Sequence, residues 1–281
     1  MSNVTELKES SFSKEQQPLV NETNKIVSIF KASNGEIRPH FILTGSSGSG
    51  KTHIIKSLAE SRKINFLEIN AAQLTKEGTS GNSLSKALSP LTNAQGNLSI
   101  VFVDEFDKLF ISGNSNSSLA HETTNGVQNE FLKVLESDET SVFGDYGKYV
   151  NVPVNNVLFV FAGAFNGEED VSIDRLRDFG VKTEFLGRVG LVFNAKKLSY
   201  ESLCKILSKS ALLEKYLKLF PDVDKNAVVD LVQEYLKKYY EQNTLGVRLI
   251  NTLVSQYFIK GGNVGLEEVK SSCFTKTLSL D

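Results

Sequence analysis

The chain has two cysteines in its 281 residues, Cys204 and Cys273, and no Cys-x-x-Cys pair. That is too few thiol ligands for a zinc module, and both residues are expected to be reduced thiols. It has no long apolar run. Stretches such as Val157–Ala162 are far too short to cross a bilayer. Met1 to about Gln17 is polar and mixed in charge, without the apolar segment of a signal peptide. Nor is there an excess of one charge. Lys and Arg number 31 against 33 Asp and Glu, giving a net charge of -2 with no long basic run. Such a chain has no overall attraction to nucleic acid or to an anionic membrane. Its three histidines, His40, His53 and His121, are scattered, so neither a protein-only metal cluster nor a nucleophile triad is visible. A soluble cytoplasmic protein with no membrane partner is expected.

What is present is an ordinary globular composition, 40% hydrophobic and 23% charged, with room for one large domain and a smaller one. Residues 1–17 read as a flexible polar tail. A helical stretch follows around Leu19–Ala32. Strands and helices then alternate: strand His40–Thr44, helix Lys51–Ser61, strand Asn65–Ile69, helix Leu84–Leu91, strand Leu98–Asp104, helix Val127–Leu135, and strands Val157–Ala162 and Gly190–Phe193. The runs "SIVFVD" and "NVLFVFAG" lack polar alternation, as central strands covered on both faces do. The alternation predicts a doubly wound parallel α/β sheet over 18–195. From 196 to 281 the spacing turns helical, in Tyr200–Leu219, Lys225–Tyr240 and Leu245–Ile259, which predicts a smaller helical domain. "LEEVKSSCF" is expected to add a short strand, and Ser112–Ser118 to form a surface loop.

Gly45-Ser46-Ser47-Gly48-Ser49-Gly50-Lys51-Thr52 matches G-x-x-x-x-G-K-[ST] in full, between a strand and a helix. Glycines let backbone N–H groups wrap phosphate oxygens, and the helix N-terminus adds a positive dipole end. Lys51 is expected to reach the β- and γ-phosphates of ATP, and the Thr52 hydroxyl to ligate Mg²⁺. The apolar strand "IVFV" ends in Asp104 and Glu105. Asp104 is expected to hold the magnesium through water, and Glu105 to polarise the attacking water as catalytic base. Both would face the γ-phosphate if this strand lies beside the one that feeds the loop. Magnesium should arrive with the nucleotide.

With these residues in view, "VDEFDK" (103–108) resembles the Walker B region of AAA+ ATPases, especially the ClpX/HslU branch. "GVQNEFLKVLE" (126–136), "NVLFVFAGAF" (156–165), "LRDFGVKTEFLGRVG" (176–190) and "LGVRLI" (245–250) resemble further segments of that branch, in the family's order. The resemblance runs from about Val20 to the C-terminus. It implies a P-loop AAA+ domain followed by a helical lid. It makes Arg188 an arginine finger acting on a neighbouring subunit, and Arg248 a sensor-2 residue touching phosphate within its own subunit. Asn166 is the nearest polar candidate for sensor 1, and Val20 with its helix is expected to touch the adenine. A finger acting in trans implies a homo-oligomeric ring, most often a hexamer.

Three departures from the branch bear on function. No N-terminal zinc-binding domain is expected, on the length and the two cysteines. Thr79 and Ser80 stand where family unfoldases carry an aromatic that grips the substrate chain. The stretch from Asn166 to Phe179 is too short for the loop that docks a ClpP-like peptidase, so no such partnership is expected. Tyr146, Lys148 and Tyr149 form either a compensating second pore loop or an ordinary β-hairpin. The leading expectation is a ClpX-like remodeller of a protein partner. The alternatives are a nucleic-acid-directed AAA+ protein, such as a helicase loader or replication factor, and a non-hydrolysing scaffold.

Overall fold

The computed structural model describes residues 12–75, 81–94, 96–110, 118–144 and 147–264. The chain divides into two compact units. One takes in Gln16–Ser46 and Gly50–Lys196; the other takes in Ser13–Glu15, Ser47–Ser49 and the chain from Lys197.

The first unit is built on a five-stranded sheet of β1 (Phe41–Thr44), β2 (Asn65–Asn70), β3 (Ser99–Asp104), β6 (Val157–Ala162) and β7 (Leu191–Asn194). Its order is β2-β3-β6-β1-β7, and every pairing is parallel. Alternate residues of each central strand enter opposite cores. Ile42, Val101, Val103, Phe159 and Phe161 belong to one apolar cluster, while Phe41, Leu43, Ile100, Phe102, Leu158 and Val160 belong to the other. Both faces are thus buried, which is why these strands carry no polar alternation. Each fully buried large side chain contributes about 1.5–3 kcal/mol relative to exposure.

Helix α1 (Gln17–Ala32) starts with Pro18 in its first turn and buries Leu19, Val20, Ile26, Val27 and Phe30. That spacing forms one stripe of a 3.6-residue helix. Helix α2 (Lys51–Ser61) buries Ile54, Ile55, Leu58 and Ala59 against the same core. The short α3 (Leu84–Ala87) and the long α4 (Ser118–Glu136) follow β2 and β3 in the chain. Helix α4 begins earlier than its apolar spacing predicted, at the end of the expected Ser112–Ser118 loop, of which Ser112–Asn116 and Ser117 lie outside the described residues. β4 (Glu139–Phe143) and β5 (Tyr149–Pro153) pair antiparallel, with Phe143 opposite Tyr149. These strands flank the segment read as either a pore loop or a hairpin, of which Tyr146 lies outside the described residues. Two six-residue helices, α5 (Ile173–Asp178) and α6 (Thr183–Arg188), had no periodic signal long enough to read.

The second unit is helical. The stretch Tyr200–Leu219 is two helices, α7 (Tyr200–Ser208) and α8 (Ala211–Leu219), because Ser210 turns extended and caps α8 by accepting the Leu213 N–H. With α9 (Lys225–Tyr239) and α10 (Val247–Ile259) they enclose Leu203, Leu207, Leu213, Val228, Val232 and Ile250. Part of the stretch expected as a flexible tail belongs here too. Glu15 accepts a 2.7 Å hydrogen bond from the Ser202 hydroxyl. Burial alone would raise its pKa, yet hydrogen bonds from Ser199, Ser202, its own backbone and Ser13 pull the carboxyl down to about 2. "LEEVKSSCF" and residues 1–11 of the tail lie outside the described residues. Among the described residues no helix is long and apolar enough to cross a membrane.

Candidate functional site

The segment Gly45–Thr52 joins the end of β1 to the start of α2. All three of its glycines, Gly45, Gly48 and Gly50, occupy backbone that other residues rarely adopt. Gly45 has φ 129°, and a Cβ there would lie 2.3 Å from the Ala195 carbonyl oxygen; Gly50 caps α2 at φ 92°. Lys51 is only 9% exposed. Its Nζ donates to the carbonyls of Gly45 at 2.6 Å and Ser46 at 3.1 Å, so the ammonium lies against the loop's own backbone. Thr52 is half-buried in the first turn of α2.

Asp104 ends β3, and its Oδ1 accepts the backbone N–H of Glu105 at 2.9 Å. Glu105 is exposed and left-handed, at φ 55° and ψ 30°. The strand bearing this pair does not lie beside β1, as the condition on its facing the γ-phosphate required. β6 runs between them, pairing with β1 through Leu43↔Ala162 and with β3 through Val103↔Phe161. A parallel sheet still brings all these carboxyl ends to one edge. Two strand spacings separate the acidic pair from the loop by roughly 10 Å across the sheet. Ligands of open α/β sheets bind at that edge.

The other sequence-derived residues take separate places. Val20 is buried in the apolar stripe of α1, packed in the core. Only 3% of its surface is exposed. Asn166 is exposed and left-handed in the turn after β6. Arg188, at the end of α6, donates to Glu136 at the end of α4 at 2.6 Å. In the second unit, Arg248 in the first turn of α10 donates to the Ser47 hydroxyl at 2.9 Å, and Val247 N–H donates to the Gly48 carbonyl at 3.3 Å. Ser49 is buried. Thr79, Ser80 and Tyr146 lie outside the described residues; Lys148 is exposed.

Four residues near this edge had no assigned role in the sequence. The Gln16 side chain packs against Gly50, and the Phe12 ring lies 5.8 Å from the His53 ring in the first turn of α2. Asn194, at the end of β7, accepts hydrogen bonds from Thr44 and from the Val171 N–H. Asp107, inside the motif "VDEFDK", is buried and accepts the Phe165 N–H at 3.3 Å. Only the Asp107 carboxylate carried a cue, as a third acidic residue in that motif.

A loop of backbone amides ahead of a helix, a lysine within it, and an acid two strands away at the same sheet edge define the class of P-loop nucleotide-binding α/β proteins. Residues 41–182, half of the chain, match the family described as "ATPase family associated with various cellular activities (AAA)", and the chain belongs to that family. It is similar to the ATP-dependent Clp protease ATP-binding subunit ClpX of Bacteroides thetaiotaomicron, at 27% identity over 77% of this chain and 63% of that protein. The subunit of the same name from Treponema denticola is 26% identical over 79% of this chain and 65% of its own length. For that of Porphyromonas gingivalis the values are 28%, 65% and 55%. The chain thus spans less than two thirds of the length of these relatives. It is a ClpX-like AAA+ chain.

The donor set fits a magnesium nucleotide. A hydroxyl at Thr52 and a carboxylate at Asp104 are hard oxygen ligands of the kind Mg²⁺ takes. Phosphate would be met by amides and the Lys51 ammonium. Among the described residues no group of three or more His, Cys, Asp or Glu side chains gathers to hold an ion by itself.

Proposed function

We propose that the chain hydrolyses ATP and couples the cycle to remodelling or disassembly of a protein partner, working as a homo-oligomeric ring without a ClpP-type peptidase. The observation that carries the hydrolytic part is the common sheet edge shared by the Lys51 loop and the Asp104–Glu105 turn. Backbone amides of 45–50 and the Lys51 ammonium bind and orient the phosphates. Thr52, and Asp104 through water, would hold Mg²⁺, which would supply charge neutralisation at the phosphates. Glu105 accepts a proton from the attacking water. Arg188 of one protomer offsets developing charge at the next, and Arg248 senses phosphate within its own chain. Hexamer is the expected ring size, and the client is a protein.

The test compares wild type with Glu105→Gln and Arg188→Ala, measuring ATP turnover against protein concentration together with particle size in ATP. Turnover per subunit that rises with concentration, lost in both variants while Glu105→Gln still assembles, supports the proposal. An inert monomer that binds ATP at every concentration would overturn the role in trans.

A second reading, nucleic-acid-directed remodelling, draws on the hairpin β4–β5. Its Tyr149 is 56% exposed, next to the exposed Lys148. An aromatic beside a cation is what stacks on single-stranded bases. Binding to single strands that weakens steeply with salt would favour it.

A further inference from the structure

At the carboxyl ends of the adjacent strands β3 and β6, non-glycine residues turn through left-handed backbone. Glu105 does so after β3 (φ 55°), and Phe165 (φ 45°) and Asn166 (φ 59°) do so after β6. Such a conformation costs on the order of 1–3 kcal/mol and persists where surrounding contacts over-determine it. It is most unusual for a bulky side chain, and the Phe165 ring is fully buried.

One side chain lies between the two turns. Asp107, in the 3₁₀ turn Phe106–Leu109 that follows Glu105, is 1% exposed. Its Oδ2 accepts the Phe165 N–H at 3.3 Å and the Lys108 ammonium at 3.3 Å. Its Oδ1 is buried and has no hydrogen-bond partner among the described residues. Space for the carboxyl exists because residue 163 is glycine. A Cβ at Gly163 would lie 2.8 Å from Oδ1 and 2.9 Å from the Asp107 Cβ. A buried carboxylate with one bare oxygen costs more than an apolar side chain of the same volume would. Packing alone therefore gives no account of an acid at this position.

We propose that Asp107 is a positioning residue for hydrolysis: by accepting the Phe165 amide it pins the Glu105 turn to the segment after β6, and so fixes the direction of the Glu105 carboxylate. This rests on the reading of Glu105 as the catalytic base. The acceptor oxygen, rather than the charge, does the pinning, so asparagine should substitute for it and alanine should not.

The experiment compares Asp107→Asn and Asp107→Ala with wild type and Glu105→Gln in the full chain. Three quantities are read: kcat for ATP, affinity for a fluorescent ATP analogue, and hydrogen exchange in peptides covering 102–110 and 160–170. The alanine variant should lose on the order of 10²-fold in kcat, as misplacement of a reacting group does. Its nucleotide affinity should stay within about threefold, since binding and turnover separate for a positioning group. Exchange should rise in both peptides. The asparagine variant should recover most of the turnover and the protection.

Affinity falling in step with kcat, an asparagine variant as impaired as alanine, or exchange rising only in 160–170 would each overturn the proposal. Should the alanine variant fail to fold, Gly163→Ala crowds the Asp107 carboxyl and the Phe165 ring, each 2.8 Å from the added Cβ, and so disturbs the contact without removing the acid. That variant should show the same fall in kcat with affinity kept, and wild-type turnover in it would overturn the proposal. If Glu105→Gln turns over like wild type, or wild type does not turn over, the base assignment is what fails. The exchange comparison still decides whether Asp107 holds the Glu105 turn.

Discussion

Arg188 donates through both Nε and Nη2 to one oxygen of Glu136, at 3.0 and 2.6 Å. The side chains are 55% and 48% exposed, the geometry of a surface pair worth about 0–1 kcal/mol. A guanidinium held so weakly can exchange its acceptor. In the proposed ring, the phosphate of a neighbouring protomer competes with Glu136 for Arg188.

Glu136→Gln should therefore leave unfolding stability within about 1 kcal/mol of wild type. It should shift the dependence of turnover on protein concentration toward lower concentration. Arg188→Ala should lower turnover at saturating concentration by a factor on the order of 10³ or more, as loss of a finger does in related P-loop enzymes. Steady-state ATPase measured across a concentration series checks both. An Arg188→Ala protein with wild-type turnover would remove the finger from the mechanism.

The helix carrying Arg188 and the turn carrying Glu105 share an aromatic contact. The Phe106 ring stacks on Phe185 with centroids 5.1 Å apart and lies 4.8 Å from Phe161. Phe106 is fully buried. Phe106→Ala should destabilise the protein by about 3–5 kcal/mol, the range for deleting a buried ring, with Phe106→Leu costing less. Urea unfolding at neutral pH gives the comparison.

Legibility in the sequence followed the range of each cue. The strand–loop–helix unit around Gly45–Thr52 could be read because strand, glycines and helix start are all local. The order of strands could not. Nothing local in "SIVFVD" says that β6 lies between it and β1, since parallel neighbours are chosen by crossovers. The break between α7 and α8 escaped because apolar spacing continues across Ser208–Ser210 and only the Ser210 cap interrupts it. Val20 illustrates the opposite limit. An apolar residue on a helical stripe reads the same whether it meets a ligand or the core, and Val20 is buried in the stripe of α1. Asp107 stood in a quoted motif, but its partner Phe165 is distant in sequence, so no role was visible without the fold.

Lys51→Met should keep the fold and weaken ATP binding by at least about tenfold, because one charge-assisted contact to phosphate is worth roughly 1.5–3 kcal/mol. The lysine is already turned into the loop, where its Nζ bonds the Gly45 and Ser46 carbonyls. A fluorescent-nucleotide titration measures the loss. Unchanged affinity would place phosphate recognition elsewhere.

The first unit also carries a built-in acid sensitivity. His40 is buried, and its Nδ1 accepts the Phe159 backbone N–H at 3.0 Å, so the neutral ring carries its proton on Nε2. Burial, with the Arg38 charge adding to it, holds its pKa at about 4 against the usual 6.5. The unfolded chain therefore binds a proton at His40 before the folded chain does. The stability this residue contributes is complete above about pH 6.5 and is lost progressively as the pH falls toward 4. The gap between those values corresponds to roughly 3 kcal/mol at most. Urea midpoints measured from pH 7 down to 4.5 should fall. His40→Asn retains an acceptor without a proton-binding site and should fall less steeply over the same range. Equal slopes in the two proteins would assign the acid sensitivity to other groups.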